Sequence, residues 1–251
     1  MSYLSVKNIV FSYTNERKIL NGISFDLNKG ETISIVGTSG CGKSTLLRVI
    51  SGILIFDHQH IFNGEIFIDN LTPDEYRKTD KLSFMFQEPT LMPNLTVRQN
   101  IELPLTIKKI KNSTKVDELL IAVGLYEFAN YLPKQLSGGM KTRVALARSF
   151  ITAPELLLLD EPFSDLDIAW KTELYKELNI LKEKFGTTVL LVTHDIEEAV
   201  TLSKKNVLVL GKNGTIILDA HLNGISNLTE KIKSKILEDR NIDLAKVYET
   251  E

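Results

Sequence analysis

One stretch constrains this chain more than any other: Ser34-Ile35-Val36-Gly37-Thr38-Ser39-Gly40-Cys41-Gly42-Lys43-Ser44-Thr45. The apolar run Ile33 to Val36 reads as a buried strand. Lys43 to Ile50 opens a helix with Leu46, Leu47 and Ile50 on its apolar side. Between them lies G-x-x-x-x-G-K-S, in the strand–loop–helix context that this motif requires. Polyphosphate is a dense anion. Successive backbone N–H groups wrap it when no side chain is in the way, and glycine permits both the dihedrals and the close approach. A helix starting near Lys43 points its positive dipole end at the same place. Lys43 is placed to reach the β- and γ-phosphates, and the Ser44 hydroxyl suits Mg²⁺, which takes oxygen ligands and keeps several waters. Cys41 admits two readings: a thiol with a lowered pKa at a helix N-terminus beside Lys43, or a buried, inert small residue.

The bulk numbers narrow the setting. Of 251 residues 43% are hydrophobic and 25% charged, ordinary for a globular chain. The net charge of −2 gives no basic field for nucleic acid. Met1 to Val10 has neither the apolar core nor the cleavage site of a signal peptide, and no apolar run approaches the ~20 residues of a membrane span. The single cysteine excludes an internal disulfide and fits a reducing cytosol. A membrane role is therefore expected to come through a partner.

Residues 4 to 36 read as β structure, with alternation over Leu4–Phe11 and further strands at Ile19–Leu27 and Glu31–Val36. Tyr13, from its own segment, reads first as a packed strand-end tyrosine. Gly52 to Asn63 reads as a loop, and its Asp57-His58-Gln59-His60 as solvated rather than metal-binding. Strands follow at Gly64–Asn70 and Leu82–Phe86, the second ending at Gln87. From Glu88 to Phe150 the pattern is helical and punctuated by Pro89, Pro93, Pro104 and Pro133, with Thr96 as a cap and Gly124 as a stop. Leu136-Ser137-Gly138-Gly139-Met140 leads into another helix; Ser137 caps it and the glycines expose backbone donors to an anion. Leu156–Leu159 is a fully buried parallel-type strand that delivers Asp160 and Glu161 at its carboxyl end, where ligands of open α/β sheets sit. Leu166, Trp170, Leu174, Leu178, Leu181 and Phe185 recur at helical spacing as core. Thr188–Val192 is a second buried strand, ending in Thr193-His194-Asp195. Val207–Leu210 and Thr215–Leu218 flank Lys212-Asn213-Gly214 as a hairpin. From Leu228 onward the chain reads as a charged, peripheral helical tail.

The ordered set of the Gly37–Thr45 loop, Gln87 in Phe86-Gln87-Glu88-Pro89, Leu136-Ser137-Gly138-Gly139-Met140, Asp160-Glu161-Pro162, Ser164-Asp165-Leu166-Asp167 and Thr193-His194-Asp195 resembles the ATP-binding cassette (ABC) ATPases, the nucleotide-binding subunits of transporters. The resemblance covers residues 3 to about 220. It implies an α/β fold: a P-loop NTPase core with a parallel sheet, an antiparallel β subdomain and an inserted α-helical subdomain. The expected organisation is one domain, with 1–87 and 152–220 as core plus β subdomain, 88–151 as helical subdomain and 221–251 as C-terminal helical tail.

The resemblance also implies roles, with ATP and Mg²⁺ as cofactors. Tyr13 takes the position that stacks on adenine, reversing its first reading. Gly37, Thr38, Ser39, Gly40, Cys41, Gly42, Lys43, Ser44, Thr45 and Gln87 would bind ATP. Ser44, Gln87 and Asp160 would serve the metal. Glu161 would polarise the attacking water and His194 would contact the γ-phosphate. Ser137, Gly138, Gly139 and Met140 would complete the site of a second copy, in a homodimer that sandwiches two ATP molecules. Residues Gln87 to Val97, with Met140, are similar to importers of nitrate, aliphatic sulfonates, taurine and related nutrients. The implied partners are membrane-spanning permease subunits docking near residues 88–104 and a separate solute-binding protein, with the chain peripheral on the cytoplasmic face of the membrane. An exporter or cell-division transmission complex shares every catalytic residue and is the alternative. A non-transport ABC ATPase would carry a long coiled coil, whereas Glu88 to Leu136 is short and lacks sustained heptads. Three features depart from the family pattern: Asp165 where alanine is common, Thr142 for glutamine, and a longer Ile53–Asn63 loop.

Overall fold

The computed structural model describes residues 2–14, 17–54, 60–164, 166–203, 206–221 and 228–248, with the backbone alone for residues 169, 221 and 240–248. Asp57, His58, Gln59 and Asp165 lie outside the described residues. The chain divides into two units, Met1–Lys78 with Leu190–Glu251, and Thr79–Val189.

In the first unit, β1 (Leu4–Ser12), β2 (Leu20–Leu27) and β4 (Ile61–Ile68) form an antiparallel sheet in the order β2-β1-β4. Its strands bury alternate residues, the mark of a sheet with one packed face. β4 starts at Ile61, inside the segment expected as a loop, because Phe62 and Asn63 pair with Phe11 and Val10. β3 (Thr32–Gly37) and the Leu190–Thr193 part of β7 (Thr188–Thr193) are buried at every position. Such runs belong to a sheet covered on both faces. β3 pairs in parallel with β8 (Asn206–Leu210), with Gly37 opposite Leu210, and β8 turns back antiparallel into β9 (Ile216–His221). The helices of this unit are α1 (Lys43–Ile50), α2 (Pro73–Arg77), α7 (Ile196–Ser203) and α8 (Leu228–Tyr248). The charge of α8 suggested a peripheral tail, yet Leu228 and Ile232 are buried with Val36, Ala199, Val207 and Val209. Ile236 packs on the same cluster, so apolar residues four apart seat a helix whose overall stripe is weak.

In the second unit, β5 (Leu82–Met85) pairs in parallel with β6 (Leu156–Asp160), with Met85 opposite Leu159. The helices are α3 (Val97–Ile107), α4 (Ser113–Ala122), α5 (Gly138–Phe150) and α6 (Ile168–Phe185), the last ending at Gly186 in the left-handed region. Thr96 and Gln99 form a reciprocal capping box at the start of α3. The α6 stripe is buried at Leu174, Leu178 and Leu181, but Trp170 is 46% exposed, contrary to its expected place in the core. The reason is local: Trp170 lies beside Gly139, which offers no side chain to bury it, and beneath the Arg143 guanidinium at 5.3 Å.

Arg143 of α5 ties α6 down. It pairs with Glu173 and, at 3.2 Å, with Glu177, which is nearly enclosed. Burial pushes the Glu177 carboxyl up to about 7; Arg143 opposes that rise and Glu173 adds to it. A carboxyl raised in the fold binds more protons folded than unfolded between its ordinary value and about 7. Stability from this group is thus present at low pH and lost as pH rises through that window. Glu177→Gln cannot titrate, so its melting temperature minus that of the parent should increase from pH 5 to pH 8. A difference that stays level or falls across that range contradicts the assignment.

Candidate functional site

Strain and close approach shape the phosphate loop. Gly42 has φ +108, and a Cβ there would stand 3.0 Å from the Ile19 carbonyl oxygen. Gly42 is also the N-cap of α1, where no side chain caps the first helical N–H groups. A helix N-terminus without a capping side chain, behind a glycine loop, is built to meet an anion. The Lys43 ammonium is buried and donates to the carbonyls of Gly37 at 3.0 Å and Thr38 at 3.2 Å, which folds its stem over the loop.

Around that loop the first unit gathers several groups. The Tyr13 hydroxyl shares a 3.1 Å hydrogen bond with Thr45 Oγ1. The Tyr13 ring stands edge-on to Phe11 and to His60, at centroid distances of 5.0 and 5.2 Å. His60, expected in a solvated loop, is instead half-buried against Tyr13 and Phe11. Strand pairing explains it: Ser12 opposes Ile61, so the residue before Ile61 falls across from Tyr13. His194 follows β7 directly and is exposed. A cavity of about 370 Å³ is lined by Gly37, Thr38, Ser39, His194 and Ile196, and by Lys233, Ile236 and Leu237 of α8. Sequence reading missed the α8 residues, because packing of Leu228, Ile232 and Ile236 on distant strands brings that helix to the loop.

The second unit carries the acidic pair Asp160-Glu161 and the stretch Leu136–Met140, the signature by its resemblance to the family. Asp160 ends β6 and is buried; Glu161 follows at φ +45, a conformation a residue with a side chain adopts at a cost. Gln87 stands two residues beyond Met85, so the β5–β6 register releases Gln87 and Asp160-Glu161 from matching strand ends. At α5 the Ser137 side chain caps the helix, accepting from the Met140 N–H at 3.2 Å. Among the described residues, a Cβ on Gly138 would meet nothing within 4 Å, and one on Gly139 only Trp170 and Leu166 at van der Waals distance. At the other end of the helix, Arg148 donates to the carbonyls of Pro89 at 2.7 Å and Thr90 at 3.0 Å. The buried Asn100 side chain holds the next turn, accepting from Met92 N–H and donating to the Leu95 and Thr96 carbonyls.

Cys41 resolves toward the inert reading. Its side chain is 2% exposed, and burial pushes the thiol up despite Lys43, so the reading of a lowered thiol fails and the buried one stands. The native chain should therefore resist maleimide, and unfolding in guanidinium should speed alkylation by roughly 10²-fold or more, as for a thiol reached only by opening. Rapid, stoichiometric labelling of the folded chain would contradict this.

The geometry matches known proteins. The ABC transporter family model matches residues 20–164. The chain is 37% identical over 244 residues to the aliphatic sulfonates import ATP-binding protein SsuB of Bacillus anthracis, covering 95% of this chain and 94% of that protein. It is 43% identical over 205 residues to SsuB 1 of Xanthomonas axonopodis pv. citri, covering 80% of this chain and 78% of that one. Its structure superposes with a TM-score of 0.75 and 33% identity on the ATP-binding cassette MJ0796, a dimer in a post-hydrolysis state bound to ADP and Pi, covering 88% of this chain and all of that one. The anion-ready loop, the strained carboxylate after a buried strand and these likenesses give one conclusion: the chain belongs to the ABC transporter family and is an ATP-binding cassette ATPase.

Proposed function

We propose that this chain is the ATP-hydrolysing subunit of a solute importer, working as a homodimer that closes on two ATP molecules. One observation carries the dimer reading. Gly138 occupies the first turn of α5 without a positive φ and without a neighbour that a methyl group would touch among the described residues. Glycine at a helix position costs up to about 1 kcal/mol relative to alanine. A bare backbone beside a serine hydroxyl suits a phosphate arriving from outside the chain, and the phosphate loop of a second copy supplies one.

The residues take their parts from chemistry already described. Tyr13 carries the base. The N–H groups of residues 37–45 and Lys43 hold the phosphates. Ser44, Gln87 and Asp160 offer a hydroxyl, an amide oxygen and a carboxylate, the oxygen donors that fit Mg²⁺. Bound Mg²⁺ would neutralise phosphate charge. Glu161 accepts the proton of the attacking water, and His194 places that water against the γ-phosphate. Phosphoryl transfer demands mostly positioning and charge stabilisation, so this set suffices.

The transport reading rests on the relatives' names and on a surface. The loop from Pro89 to Leu95 is fixed by Arg148 and Asn100 and presents Met92 at 45% exposure. A rigid apolar loop beside α3 suits a short helix of a permease subunit in helix-in-groove docking at residues 88–104. Among the described residues no helix is long and apolar enough to cross a membrane. A peripheral position on the cytoplasmic face, delivery by a separate solute-binding protein and a small organic anion such as a sulfonate complete the proposal.

Two variants test the division of labour. Glu161→Gln keeps the shape but cannot take the proton, so hydrolysis should fall by roughly 10²-fold or more while ATP affinity stays near the parent value. ATP should then shift this variant from monomer to dimer in light scattering. Lys43→Ala should lose ATP binding and, with it, the dimer. Near-parental hydrolysis by Glu161→Gln removes Glu161 as the base. ATP binding without dimerisation removes the sandwich.

A further inference from the structure

The signature serine and glycines act only if the first turn of α5 is aimed correctly, and the structure contains a clamp on that turn. Trp170, in the first turns of α6, lies 3.8 Å from where a Gly139 Cβ would be, with Leu166 at 3.9 Å on the same side. The Arg143 guanidinium sits 5.3 Å from the Trp170 ring centroid. Arg143 itself is nearly enclosed and held by Glu173 and Glu177, one turn apart on α6. The order of contacts is thus carboxylates, guanidinium, indole, signature glycine. Cation–π contact and ion pairing act on the same side chain, so Arg143 fixes the indole, and Gly139, four residues earlier on the same face of α5, lies against that ring.

The placement is not what burial alone would give. Trp170 is 46% exposed beside the open backbone of Gly139, and Ile168, two residues before it in the chain, is 85% exposed, so apolar surface at this turn is left to solvent.

We propose that Trp170 is a positioning residue for hydrolysis: pinned by Arg143, it sets the direction in which Ser137, Gly138 and Gly139 present their donors to the second copy, and its ring is covered when that copy binds. The proposal rests on the signature role given above. It involves no contact between Trp170 and the reacting atoms.

Three variants in the intact chain and one optical measurement decide it. Trp170→Ala should lower the rate at saturating ATP by roughly tenfold or more, because small misplacements of positioning groups cost rate. Its ATP affinity, measured directly, should stay within about twofold of the parent, since uniform binding is untouched. Trp170→Phe keeps a ring beneath Arg143 and should recover most of the rate. The chain has one tryptophan, so emission reports this ring alone. In the Glu161→Gln background, ATP should blue-shift that emission and reduce its quenching by acrylamide; ADP should not. A parental rate in Trp170→Ala, a Trp170→Phe variant as slow as Trp170→Ala, or emission indifferent to ATP while the dimer forms overturns the proposal. Ser137→Arg separates the two levels. If it abolishes hydrolysis while Trp170→Ala does not, only the positioning role fails. If Ser137→Arg hydrolyses normally, the signature reading beneath it fails.

Discussion

A Cβ on residue 37 would stand 2.5 Å from the Leu210 carbonyl oxygen and 2.6 Å from the Cys41 sulfur. The phosphate loop therefore exists only because β3 ends in a residue with no side chain against the end of β8. That contact fixes where the loop leaves the sheet. It packs the Cys41 thiol inward, which keeps the thiol protonated and out of reach. It also sets the start of α1, whose first N–H groups must point into the loop for the anion site to work. The β8–β9 turn and α8 follow from the same arrangement: Asp239 accepts from the Lys212 N–H at 2.8 Å and lies 3.0 Å from a Cβ position on Gly211. Asp239 of α8 thus holds the turn that follows the strand end on which Gly37 packs.

In the second unit α5 has the comparable role. Its N-terminus carries the signature, its middle is tied to α6 through Arg143, and its C-terminal end holds the loop after β5 through Arg148. On the proposed reading, a push on the 88–104 surface reaches the signature turn along one helix. A helix is suited to this, because its hydrogen-bond ladder moves as a rigid body while side-chain contacts at its ends carry the load.

Much of this was legible in the residues themselves. The phosphate loop announced itself because the motif fixes backbone geometry, and continuous apolar runs such as Leu156–Leu159 can be buried in few other ways. Gly186, Thr96 and Ser137 marked helix ends because capping is local chemistry. What stayed hidden depends on contacts distant along the chain. His60 lies on Tyr13 only through the β1–β4 register. α8 reaches the loop through a few apolar residues of a charged helix, Leu228, Ile232 and Ile236, packed on strands distant in the chain. Trp170 fits the apolar period of α6, and periodicity cannot tell that its neighbour across the interface is a glycine. The thiol of Cys41 was open between two states because burial raises it while Lys43 and backbone N–H groups lower it, and burial is larger.

The central claim is that each hydrolytic site takes its phosphate loop from one copy and its signature from another. Mixing two defective chains tests it directly. Lys43→Ala spoils the loop and Ser137→Arg spoils the signature, so each protein alone should be inactive. In an equimolar mixture only a mixed pair holds an intact site, and it holds one, so hydrolysis should return on mixing, to at most about a quarter of the parent rate. A mixture as inactive as its two components, measured where mixed pairs are shown to form, would contradict the account.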